Sequence, residues 1–130
     1  MNKDVRRARS SEPSSAESNP TYTDVKLEVM VENLETLVGS FRRLIAELTH
    51  EDRIEGMKMI RRALRETKFE FKKVLVHYGT HNEGTASRFV DLAYSIADMA
   101  AHSGSKELTE SLSRHAEEIE AARLAALDAQ

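Results

Sequence analysis

Cysteine and tryptophan are both missing from the 130 residues of this chain. Without cysteine there is no disulfide, no thiolate nucleophile and no sulfur-ligated zinc. Glycine occurs five times and proline twice. An all-β fold needs tight turns at short intervals, so this scarcity argues against one. No apolar run approaches the ~18 residues of a membrane span. The polar N-terminus also lacks the apolar stretch of a secretory signal. These absences lead to the expectation of a soluble, cytoplasmic protein with no membrane partner. What the chain does hold is 40% hydrophobic and 32% charged residues, a balance that suits one small, mainly helical domain.

Residues 1–20 read as a disordered tail. Arg6, Arg7 and Arg9 are followed by Ser10, Ser11, Ser14, Ser15 and Ser18, with Pro13 and Pro20. Such a segment cannot bury enough surface to offset roughly 1–2 kcal/mol of ordering entropy per residue. Its arginines could serve as a basic arm. The domain is expected over 21–130.

After Pro20 a helical period sets in. Leu27, Met30, Leu34, Leu37, Phe41, Leu44 and Leu48 recur every three or four residues, and Val31, Val38 and Ile45 widen the stripe. This predicts a helix over about 22–48. Gly39 interrupts it, and a close helix crossing would explain that glycine. Val25 and Val29 fall on the far side of the stripe. They mark either a second apolar patch or a later start of the helix, and the later start is the preferred reading.

Thr49 offers an N-cap for a second helix over 51–78, with Glu51 and Asp52 at its positive end. Met57, Ile60, Leu64, Phe71, Val74, Leu75 and Tyr78 form its stripe, with Thr67 in register. Gly79 supplies a stop, and Thr80 with Glu83 a capping box for a third helix. Phe89, Leu92, Ala93, Ile96 and Ala100 continue that helix to Gly104. Ser105 caps a fourth, whose stripe is Leu108, Leu112, His115, Ile119 and Ala122. Short connections between long helices force antiparallel neighbours. The expected fold is therefore all-α, an antiparallel up-down-up-down four-helix bundle.

Charge is unevenly shared. The second helix has eight basic and five acidic residues; the fourth, over 105–130, has three and six. On a wheel of 100° per residue, Lys58, Arg61, Arg62, Arg65, Lys68, Lys72 and Lys73 share one arc opposite the core. Phe69 and Val76 lie in the middle of that arc and cannot point into the core that holds Leu64 and Phe71. Left in water, each forgoes roughly 1.5–3 kcal/mol of burial.

A basic face with embedded apolar residues supports three readings. One is a protein interface, with Phe69 and Val76 as anchors and Arg61, Arg62, Arg65, Lys68, Lys72 and Lys73 as a rim selecting an acidic, apolar partner surface. Another is nucleic-acid binding through phosphates, aided by the tail arginines. The third is structural, with the basic heads paired to the acidic helices 1 and 4. The interface reading is preferred over the other two. Glutamates 66 and 70 nearby count against nucleic acid. A homodimer is expected, because the acidic fourth helix could meet the second helix of a neighbour.

The histidines suggest little chemistry. His77, His81 and Glu83 crowd one turn but lack the spacing of a helical metal motif. His50 and His102 are expected at a shared end of the bundle. A phosphocarrier would need a histidine exposed mid-helix. His115 is followed by Ala116, Glu117 and Glu118, without the lysine and glycine of histidine-phosphotransfer domains. His102, before Ser103, Gly104, Ser105 and Lys106, is only a loose echo of them. His115 is better read as a boundary residue bonded to a neighbouring helix. No Glu-x-x-His pair has the geometry of a di-metal bundle site. No catalytic residue, metal site or cofactor is therefore expected. The chain reads as a non-enzymatic regulator or adaptor, with nucleic-acid association and, more distantly, phosphotransfer as alternatives.

Overall fold

The computed structural model describes residues 22–78 and 83–128, with side chains over 25–76 and 83–128. The basic tail, the turn with Gly79, Thr80 and His81, and the His77 side chain lie outside the described residues. Four helices follow in order: α1 (Tyr22–Leu44), α2 (His50–Tyr78), α3 (Glu83–Ala101) and α4 (Lys106–Asp128). A single 3-10 turn, Ile45–Glu47, ends α1.

Two of the predicted N-caps, Thr49 and Ser105, are in place. The backbone N–H of Asp52 donates to Thr49 Oγ1 at 3.1 Å. The N–H of Leu108 donates to Ser105 Oγ at 3.2 Å, just after Gly104, whose φ of +80° no other residue adopts cheaply. Arg53 adds a device that no motif announces. Its guanidinium donates to the carbonyls of Ile45, at 2.8 Å, and Ala46, at 3.4 Å, in the 3-10 turn, where Ile45 also accepts from the Leu48 N–H.

Consecutive helices run antiparallel. Lys26 of α1 stands level with Glu70 of α2, and Phe41 with Gly56. Likewise Glu83 of α3 meets Arg123 of α4, while Ala100 meets Thr109. The two hairpins then stack. Glu35 and Arg42 of α1 reach Arg88 and Ser95 of α3, so these two helices run in the same direction. Arg61 and Lys68 of α2 reach Glu107 and Glu118 of α4, again in the same direction. α2 and α3 touch at few points. They meet across the centre, where Phe71 and Phe89 pack edge to face with centroids 5.4 Å apart. This arrangement positions the candidate site. α2 is flanked by α1 and α4, and its third side is left outward.

The core follows the sequence stripes with α1 rotated and with Leu92, His115 and Ala122 only half-buried at its margin, where Val90 and Ala116 are buried. In α1 the buried residues are Leu27, Val31, Leu34 and Val38. Met30 is half-buried, and Leu37 and Leu44 are exposed. The wide stripe spans more than the buried arc, so the β-branched positions take the centre and Met30 and Leu37 lie along the groove toward α2. Leu44 is excluded because regular helix ends there. α1 begins at Tyr22, so the later start is wrong. Val25 and Val29 are helical and exposed, at 43% and 48%.

Gly39 is likewise not a close crossing. A Cβ built there would find nothing nearer than Arg43 Nη1, at 3.8 Å. The close approach is at Gly56, where a Cβ would lie 2.2 Å from the Phe41 ring. No described helix is long and apolar enough to cross a membrane.

Candidate partner-binding surface

The outer side of α2 is built by a conflict of periods. Met57, Ile60, Leu64, Phe71 and Val74 are buried between α1, α3 and α4. A helix that buries them must turn position 69 away, and Phe69 is 70% exposed. Val76, two turns further on, is 81% exposed. The apolar pair therefore lies where the wheel places it. Arg62, Arg65, Lys72 and Lys73 are all exposed around it. A broad open groove runs past Phe69 between these cations, Lys26 of α1 and His115 of α4.

Two of the expected rim residues point elsewhere. Arg61 donates to Glu107 at 2.6 Å and retains only 20% of its side-chain exposure. Lys68 retains 14% and donates to Glu118 at 2.6 Å. Its ammonium also lies 2.7 Å from His115 Nδ1. Lys72 approaches the same Glu118 at 3.7 Å. The acidic fourth helix thus meets α2 inside one chain, as the structural reading of the basic arc expected. Among the described residues Arg62, Arg65 and Lys73 form no ion pair with α4, although the charge of Arg65 reaches His115.

This cluster sets two protonation states. Burial pushes the His115 imidazole below the usual histidine value, and the charge of Lys68 adds to that. Arg65 and Arg61 push the same way, and Glu118 opposes them. The hydrogen bond from Lys68 holds Glu118 below the usual carboxylate range, against a smaller desolvation effect. A neutral imidazole can accept from the Lys68 ammonium, so its proton sits on Nε2. His115 is the half-buried boundary residue expected of it.

No family model, curated protein or solved structure matches this chain. The surface is therefore read from its own chemistry.

Glu70 escaped the sequence reading, which placed it with Glu66 beside the basic arc. It is 4% exposed. Its Oε1 lies 3.7 Å from Lys26 Nζ and 3.9 Å from Lys73 Nζ, and its buried Oε2 has no hydrogen-bond partner. The available signal was its wheel position, only 40° from Val74 and so at the edge of the core. Near the opposite end of the bundle, the expected meeting of the two loops takes place. The His50 ring lies 3.3 Å from where a Cβ of Gly104 would sit. His102 borders a separate hollow with Arg42, Ser95 and Asp98. Among the described residues, no three histidine or carboxylate side chains are grouped to hold a metal.

Proposed function

We propose that this chain is a non-enzymatic regulatory or adaptor protein that binds another protein through the outer face of α2. The single observation that supports this is the pair Phe69 and Val76, 70% and 81% exposed on a helix whose opposite side is fully packed. Interface hot spots are commonly aromatic residues within a polar rim that excludes water. Here Phe69 is the anchor and Val76 extends it. Arg62, Arg65, Lys72 and Lys73 select an acidic surface and speed its capture. Arg61 and Lys68 contribute by holding α2 against α4.

The nucleic-acid reading of the same face has less support. Arg61 and Lys68 are already engaged with Glu107 and Glu118, and among the described side chains Phe69 is the only aromatic on α2's outer side. Duplex binding would show affinity falling steeply with salt.

Phe69→Asp tests the proposal. Affinity for the partner should fall by about thirtyfold, the effect of a hot spot of about 2 kcal/mol. Stability should stay within about 0.5 kcal/mol, since the ring packs against little. Unchanged partner affinity in the folded variant defeats the reading.

A further inference from the structure

The outward side of the α1/α2 hairpin carries two faces of matched chemistry. That of α2 has Phe69 and Val76 set among cations. That of α1 has Val25 and Val29, 43% and 48% exposed, beside Glu28 and Glu32. Glu35 is held by Arg88 of α3 at 2.6 Å, while Glu28 and Glu32 lie near that arginine without bonding to it.

The levels of these patches also match. Lys26 stands opposite Glu70, and Phe41 opposite Gly56. Val25 and Val29 are therefore level with positions 67–71 of α2, centred on Phe69. By the same register Glu32 is level with Arg65, and Glu28 lies between Arg65 and Lys72. Within one chain the two patches turn outward from neighbouring helices and cannot meet.

A twofold axis parallel to the helices changes that. It places α1 of one copy over α2 of the other without shifting either along its length. Because α1 and α2 run in opposite directions, the paired helices are antiparallel. The valines of one copy then cover Phe69 of the other, and Glu28 and Glu32 face Arg65 and Lys72, twice over. The half-exposed Lys72 is then shared between the partner and Glu118 of its own chain, at 3.7 Å. A twofold axis across the helices would instead lay α2 on α2, cation against cation, which costs affinity.

We propose that the outer face of α2 binds a second copy of this chain, each copy laying the Val25–Glu32 face of α1 on the Phe69 face of its partner's α2. The inference rests on the reading of α2 as a docking face, and it names the occupant. It also replaces the α4 of a neighbour, whose Glu107 and Glu118 are engaged with α2 of their own chain. Such an isologous pairing closes on itself, so assembly stops at two.

The test is the solution mass of the intact chain, by sedimentation and light scattering, over a wide concentration range. Wild-type protein should have the mass of two chains. Glu28→Lys with Glu32→Lys should weaken the dimer by about tenfold or more, and Arg65→Glu with Lys72→Glu should do the same. None of the four side chains is buried, so helical circular dichroism should be unchanged. Combining all four changes in one chain exchanges both charge signs and should restore the dimer, which a merely misfolded variant cannot do. A wild-type chain that stays monomeric, or a fourfold variant that stays dissociated, overturns the inference. The docking reading is scored apart from it. A monomeric chain that binds a different protein, and loses it on Phe69→Asp, leaves that reading intact. A monomeric chain whose Phe69→Asp variant behaves like wild type in every binding assay removes both.

Discussion

Gly39 and Gly56 look alike in the sequence, each a glycine inside a helix, yet their surroundings differ. Alanine at 39 meets only the tip of Arg43, at an ordinary contact distance of 3.8 Å. Gly39→Ala should stabilise by about 0.5–1 kcal/mol through the entropy of the unfolded chain, read from urea unfolding. Alanine at 56 would meet the half-buried Phe41 ring at 2.2 Å. Gly56→Ala should destabilise by about 1–3 kcal/mol, and adding Phe41→Leu should recover part of the loss. His115 carries the pH response. The folded chain binds the imidazole proton more weakly than the unfolded chain, whose histidine titrates near 6.5. Its contribution is complete above that value and is lost as pH falls through it toward the lower folded value. Glu118, also lowered, adds a loss in the same direction below its ordinary 4.5. His115→Gln should therefore flatten the decline in stability that sets in as pH falls through about 6.5 while leaving the deeper acid limb. A wild-type slope in that variant would rule His115 out as its source.

At the scale of the element, α2 is the instructive helix. Its three sides do different work. One packs the core, one binds α4 through Arg61 and Lys68, and one faces outward with Phe69 and Val76. The first and third were legible because a side chain on a helix can point in only one direction once its neighbours are buried. The second was not. A wheel shows which arc a lysine occupies, but not whether a long, flexible stem bends toward a neighbouring helix. Glu70 misled for a related reason, since its direction toward α1 depends on where α1 lies. The start of α4 was readable from Ser105 alone, because a cap is a local bond. Ser105→Ala should lower stability by about 1 kcal/mol, and Ser105→Asp should retain most of it. Thermal melts of both variants check this.

For the whole molecule, the two hairpins are joined across the diagonal by Phe71 and Phe89, both fully buried. The hairpins should therefore unfold as one cooperative unit. Phe71→Ala should cost about 3–5 kcal/mol, whereas Phe69→Ala, two positions away on the opposite side, should change stability by less than about 0.5 kcal/mol. Far-ultraviolet dichroism and tyrosine fluorescence should report the same wild-type transition. Two separate transitions would mean that the hairpins unfold independently. The pairing of α1 with α3 and of α2 with α4 also settles which charges are engaged. Had α2 lain beside α3, Arg61 and Lys68 would have had no Glu107 and Glu118 to meet.

The number of helices, their limits within a few residues, their caps and the outward direction of Phe69 were written in the chain, because each follows from spacing and from bonds between near neighbours. Which hairpin helix lies beside which, the rotation of α1 that buries Val31 and exposes Leu37, the close approach at Gly56 and the burial of Glu70 belong to the tertiary structure. These depend on residues far apart in sequence meeting at a given height and angle, and an amphipathic pattern records only that a face is buried, not what buries it.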